Sequence, residues 1–345
     1  MYNKKGSHIG IILLLVSLFL LVGIATQAGA MESKAEPKGA KQIHIGILDL
    51  SSKIAVAALW NDAYKQAAEK RGWKVTIFDV DWDYSKTQPY MENMITAGYD
   101  AIIVNWTSPK YYEDQVLKAF KKGIPVASVA GGKMVPGFFA DFAPIDLGRG
   151  AEVGQYLASK MEPGKVVIFT YKESENNLQK YLGQKMAMDY FKIEVHEVAQ
   201  RGSGGDPTEQ AYEDMKNLLL ADSKKEIKGV LDYWEGKAYG SARACHEMGR
   251  DDVMVVTIDD SPRTYELMRQ LPALRATFGV NGHRNMVAEK MCSMFEEIFA
   301  GKPFHDQNYF PLVPYLVEKE NLPPQGFIYR PGPAPYEGKP DYKAE

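Results

Sequence analysis

Two doubly wound α/β lobes, each built on a parallel sheet and joined by a hinge of several crossings, are what the sequence predicts. Three observations carry this. Short apolar runs alternate with helical periodicities through most of the 345 residues, as a parallel sheet covered by helices requires. The alternation lapses after Val129 and begins again at Gly148, which divides the chain into two similar halves. Beyond the second half, a long helical stretch and one short apolar run return to tie the halves together. The length also suits two domains better than one.

The first residues read as an export signal. Lys4 and Lys5 form a positive start, Ile9 to Ala25 is almost wholly apolar, and Ala28-Gly29-Ala30 offers a small-x-small cleavage site before Met31. No cysteine lies near that junction, so a diffusible periplasmic product is expected rather than a lipid-anchored one. Residues 31–41 are polar and are read as a flexible leader.

The first lobe is expected over residues 42–141, completed by about 283–312. Ile43 to Leu50 is its first strand, and the helix from about Val56 to Arg71 stops at Gly72. Lys74 to Val80 is the second strand, ending in Asp81-Trp82-Asp83. A helix from Thr87 to Ala97 precedes Gly98. Asp100 to Val104 is the third strand, ending in Asn105-Trp106-Thr107. A helix to Lys122 stops at Gly123, and Ile124 to Val129 is the fourth strand.

The second lobe is expected over 142–282, completed by about 313–322. It repeats the pattern: helix Gly148 to Met161, strand Lys165 to Tyr171, helix Leu178 to Phe191, strand Ile193 to Ala199, helix to Ala221, strand Gly229 to Tyr233, and helix to Met248. Val253 to Ile258 is a strand apolar enough to be buried on both faces. It ends in Asp259 and Asp260. Ligands of open parallel sheets lie beyond the carboxyl ends of the strands, so Asp259 is placed at a ligand and Asp260-Ser261-Pro262 at the next helix cap. Ala273 to Val280, a helix from Asn285 to Phe299 and Tyr315 to Val317 follow. Residues 323–345, rich in proline and glycine, read as an irregular surface tail.

Several stretches together resemble the periplasmic solute-binding proteins of the ribose-binding type, the type I fold shared with the effector domains of lactose-repressor-like regulators. They are Ala68-Glu-Lys-Arg-Gly-Trp-Lys-Val, Gly98-Tyr-Asp-Ala-Ile-Ile-Val-Asn, Lys122-Gly-Ile-Pro-Val, Asp251-Asp-Val-Met-Val-Val-Thr-Ile-Asp and Pro314-Tyr-Leu-Val-Glu-Lys-Glu-Asn-Leu. The likeness runs from about residue 42 to 322. It implies a two-lobed binding protein that closes on a small solute and delivers it to a permease. It also places Asp259 as a ligand-binding aspartate and Lys180 near a family arginine. Departures are plain: Ala130-Gly131-Gly132 stands where the ribose type has Asp-Arg, Val56 and Ala57 stand for aromatics, Trp234 replaces an asparagine, and the polar residue of the last hinge strand falls at Val280 or Asn281.

The tryptophans suggest the pocket. Trp82, Trp106 and Trp234 lie just past three strand ends, and Trp60 lies one turn into the first helix. Indole faces stack on sugar rings and attract cations. With Lys180, Asp259 and Asn281 they form the predicted ligand-binding set. Acids outnumber bases at the strand ends, which disfavours an anionic ligand.

The formal charge of −3 and the lack of a basic stripe exclude nucleic acid as an expected partner. No hydrolase, metalloprotease or phosphate-loop motif is present, and the six histidines show no metal spacing, so neither catalysis nor a cofactor or metal is expected. Cys245 and Cys292 fall in different lobes and are read as free thiols. The resulting expectation is a monomeric, periplasmic component of an ABC-type uptake system for a sugar or polyol. The alternative, from a loose similarity of the tail Gly326-Phe-Ile-Tyr-Arg-Pro to trimethylamine-N-oxide sensors, is a protein that signals a methylated amine to a membrane sensor kinase.

Overall fold

In the computed structural model, which describes residues 30–39, 41–200 and 206–330, the alternating pattern forms two six-stranded sheets. The first contains β2 (His44–Asp49), β3 (Lys74–Asp79), β4 (Ala101–Asn105), β5 (Val126–Val129), β6 (Phe138–Ala143) and β13 (Asn308–Pro311). Their order is β13-β6-β5-β4-β2-β3, with every pair parallel. The second contains β7 (Lys165–Thr170), β8 (Val195–Ala199), β9 (Ile227–Leu231), β10 (Met254–Ile258), β11 (Leu274–Gly279) and β14 (Tyr315–Glu318). Their order is β14-β11-β10-β9-β7-β8, and only β14 runs antiparallel to its neighbour.

Helices α1 (Ala55–Glu69), α2 (Thr87–Ala97), α3 (Glu113–Lys121) and α9 (Arg284–Phe299) belong to the first lobe. Helices α4 (Asp146–Lys160), α5 (Glu175–Phe191), α6 (Pro207–Ala221), α7 (Glu235–Glu247) and α8 (Pro262–Gln270) belong to the second. The chain passes between lobes three times: after β6, after β11 and between β13 and β14. Helices α4 and α5 approach closely because glycines face one another's backbones. A Cβ on Gly150 would fall 2.8 Å from the Lys180 carbonyl carbon, and one on Gly183 would fall 2.6 Å from the Ala151 nitrogen. That approach carries Lys180 in toward the strand ends.

Five features differ from the sequence expectation, the unpredicted strand β13 at the first sheet's edge being one. Strand β6 was not anticipated, because Phe-Phe-Ala-Asp-Phe-Ala lacks alternation and carries a carboxylate, yet all six residues are buried. Residues 31–39 are not a loose leader. β1 (Glu32–Ser33) pairs antiparallel with β12 (Phe304–His305), and Ala35 is buried. The α8 cap is Ser261, which forms a capping box with Thr264, not Asp260. The tail's first residues dock as well: Ile328 is fully buried and Tyr329 packs 4.9 Å from the Tyr315 ring. The rest of the tail, the export signal before Ala30 and the 201–205 loop lie outside the described residues. Cys245 and Cys292 are free thiols, one in each lobe's core, and burial pushes both up to about 12.

Asp141 gives a stability prediction. It lies buried on β6 with Oδ1 lacking a hydrogen-bond partner, and burial raises its carboxyl to about 7. Between its ordinary pKa and 7 the folded protein holds a proton that the unfolded chain releases, so this group's contribution falls as pH rises through that window. Asp141→Asn is expected to be more stable than the parent at pH 8, by on the order of 2 kcal/mol. The gain should vanish near pH 4 in urea unfolding.

Candidate functional site

The carboxyl ends of both sheets face one another, and strained turns present their side chains there. Trp82 follows β3 with φ 63°, Trp106 follows β4 with φ 60°, Ala130 follows β5 with φ 53°, and Asp259 follows β10 with φ 70°. Left-handed backbone at non-glycine residues costs roughly 1–2 kcal/mol each. Such strain persists where surrounding structure enforces it, and it clusters at functional sites.

The lobes are closed on each other. The Trp82 and Trp234 rings lie 6.0 Å apart across the cleft, and Lys110 pairs with Glu173 at 3.6 Å. Gln179 Nε2 donates to the Gly132 carbonyl at 2.5 Å. Between the lobes lies a narrow cavity of about 40 Å³ lined by Trp82, Trp106, Asn176, Lys180, Tyr233, Trp234 and Asp259, with Leu50, Ile54, Val56 and Ala57 from the first lobe.

A buried charge cluster forms one side. Asp259 accepts hydrogen bonds from Arg149 Nη2 and, at 3.2 Å, from Lys180 Nζ. Lys180 also donates to the Tyr233 carbonyl at 3.2 Å and sits 5.8 Å from the Trp106 ring centroid across the cleft. Asp146 lies 3.6 Å from Arg149 Nη1, with both carboxylate oxygens lacking hydrogen bonds. Burial opposes the charge on Asp259, but Arg149 and Lys180 outweigh it and hold the carboxyl below its ordinary value. Burial raises Asp146 to about 6 despite the same two cations. Burial, then the nearby Asp259 charge, drives the Glu235 carboxyl well above the usual range. Two cations, Arg149 and Lys180, thus face two carboxylates, Asp259 and Asp146.

Of the seven residues singled out in the sequence, Trp82, Trp106, Lys180, Trp234 and Asp259 line this cavity. Trp60 and Asn281 do not. Trp60 is wholly buried and its Nε1 donates to Asn281 Oδ1 at 2.7 Å. Asn281 in turn donates from Nδ2 to the Asp260 carbonyl. Asp260 accepts from Tyr265, from Tyr315 Oη at 2.9 Å and from the Val280 and Asn281 backbones. These residues therefore brace a crossing between the lobes and lie outside the lining of this cavity. Arg149 and Asp146 were missed. Their one sequence signal was an acid and a base three apart at a helix start, which ordinarily marks a surface pair. Among the described residues no cluster suited to a metal is present.

Residues 47–281 match a family described as "Periplasmic binding protein domain". A xylitol-binding protein of Mycolicibacterium smegmatis is 27% identical over 243 residues, covering 69% of this chain and 67% of its own length. A ribose import binding protein of Bacillus subtilis is 24% identical over 266 residues, covering 72% of this chain and 80% of its own. An ABC transporter solute-binding protein from Agrobacterium vitis, solved with bound allitol, superposes with a TM-score of 0.71 at 17% identity, covering 83% of this chain and 98% of that one.

Proposed function

The chain belongs to the periplasmic binding protein family, of the sugar-binding type, and on that premise we propose that it is the solute-binding component of an ABC-type uptake system. It holds one neutral sugar or polyol between its lobes, and the closed form is what a membrane permease recognises. The supporting observation is a cavity walled by three indoles whose charged residues are already paired with one another. A charged ligand would leave one member of that cluster uncompensated in a buried setting, which is costly. A polyol instead stacks its apolar faces on the rings. The buried Nε1 groups of Trp106 and Trp234 have no hydrogen-bond partner among the described residues. Relatives named for xylitol and ribose, and a similar fold solved with allitol, point to the same class. Binding shifts a hinge equilibrium by contacts from both lobes, and no chemical step is required.

Thermal unfolding of the mature protein with xylitol, allitol, ribose or other pentitols and pentoses tests this. A true ligand at a hundred times its dissociation constant adds about 2.7 kcal/mol, and the midpoint should rise by roughly 5 °C. If no sugar or polyol raises the midpoint while an organic ion does, the neutral-ligand reading fails.

A further inference from the structure

Asp306 is a buried carboxylate, 2% exposed, at the start of the turn between β12 and β13. Its Oδ2 accepts from the Gly137 backbone N–H at 3.0 Å, just before β6, and its Oδ1 accepts from the Met31 nitrogen at 2.7 Å. The Asp306 N–H returns a bond to the Met31 carbonyl at 3.0 Å. Among the described residues no Lys, Arg or His nitrogen pairs with this carboxylate. The residues next in sequence to Asp306 and Met31, His305 and Glu32, pair with each other at 3.7 Å. A buried carboxylate held by two amides and no cation is an incomplete arrangement, since buried charges are ordinarily paired.

The missing cation has a source in the chain. Met31 packs half-buried against the first lobe's core, whereas Ala30 is exposed. The sequence before Met31 is Ala28-Gly29-Ala30, the small-x-small pattern read by a signal peptidase. We infer that processing cuts the Ala30–Met31 bond, and that the α-ammonium group so freed forms a buried ion pair with Asp306. Hydrolysis adds one water across the amide, leaving the Ala30 carboxylate on the leader and the α-amine, protonated at neutral pH, on Met31. The nitrogen already lies at hydrogen-bonding distance, so no movement is required. Charge on that atom converts a neutral hydrogen bond into a charge-assisted one. The pair then staples β1 to the β12–β13 turn and to the entry of β6, and does so only in the exported chain. Cutting two residues earlier, after Ala28, would leave Gly29 and Ala30 ahead of Met31 and carry the ammonium away from Asp306.

The full chain with its own leader should be produced in an exporting bacterial host and the periplasmic product weighed intact. The expected mass corresponds to a chain beginning at Met31, and any other start overturns the inference. A leaderless chain beginning at Met31 is then compared with one beginning at Gly29, each with and without Asp306→Asn. The substitution should lower the thermal midpoint of the Met31 form by roughly 4 °C more than that of the Gly29 form. Equal losses would show that Asp306 only caps backbone amides, and the ion pair would be wrong. Acylation of the α-amine in the unsubstituted proteins provides a second readout that does not depend on the stability of any variant. The Met31 amine should react at least about tenfold more slowly than the Gly29 amine, because its lone pair is held protonated at a buried carboxylate; equal rates overturn the pairing.

Discussion

Asp259→Ala is expected to abolish ligand binding and to destabilise the protein by about 3–5 kcal/mol. The substitution leaves Arg149 and Lys180 buried without their common carboxylate, at 1% exposure each. Removing one partner of a buried pair exposes the full desolvation cost of the others, which is why the loss exceeds that of an exposed salt bridge. Alanine also tolerates the φ of 70° at this position poorly, whereas asparagine visits that region readily. Asp259→Asn should therefore fall between parent and Asp259→Ala in stability while still losing most affinity. The sign with pH follows from the depressed carboxyl. Its folded pKa lies below the unfolded value, so its contribution is complete above the ordinary carboxylate range and is lost as pH falls through the folded value. Urea unfolding at pH 7 and at pH 3 should show the parent–variant gap shrinking at the lower pH. A variant as stable as the parent at pH 7 would mean that Arg149 and Lys180 find water or other acceptors.

The contrast between Asp259 and Arg149 shows what the sequence could and could not reveal. A strand buried on both faces announces where it ends, because the apolar run stops. Trp82, Trp106, Trp234 and Asp259 all follow such stops, and their place in the cleft was legible for that reason. Helices give weaker information. The periodicity of α1 shows that Trp60 shares a face with Val56, Ala63 and Tyr64, but not that Val56 lines the cleft while Trp60 bonds to Asn281 at a crossing between the lobes. Arg149 reaches Asp259 across 110 positions of sequence, through a helix approach that depends on Gly150 and Gly183. No local pattern records that. Counting acids against bases at strand ends led to the expectation of a non-anionic ligand from an incomplete premise: the charges matter as pairs, and Arg149 was absent from the count. The polar segment after Met31 looked unstructured because its order comes from an edge strand formed 272 residues later in the chain, as the Ser33–Glu32 register with Phe304 and His305 shows.

Gly132→Ala is expected to weaken ligand binding by about 10- to 100-fold, the range of a closing equilibrium shifted by roughly 1.4–2.8 kcal/mol. Gly132 belongs to the Ala130-Gly131-Gly132 stretch that stands where the ribose type has Asp-Arg, which the sequence alone marks only as a departure from that type's pocket. The structure gives it a role. Gly132 adopts φ +78° and packs against α5 of the opposite lobe, so that a Cβ would fall 2.8 Å from Asn176 Cα and closer still to its nitrogen. Its carbonyl accepts from Gln179 of the same helix. Both obstacles are backbone and cannot swing aside. The variant can fold each lobe unchanged, because the clash exists only when the lobes meet. It must hold them apart or tilt them, and either movement removes one wall of indoles from the ligand. The left-handed backbone adds a smaller cost of about 1 kcal/mol to both open and closed forms, and so leaves the closing equilibrium alone. Calorimetric titration measures the affinity, and small-angle scattering with saturating ligand measures closure. The expected pair of results is weaker binding and a larger radius in the bound state, with a ligand-free melting temperature within a few degrees of the parent. Unchanged affinity would show that the approach of Gly132 to Asn176 is not required for the bound state. A collapse of the ligand-free protein would instead assign the glycine to the folding of the first lobe.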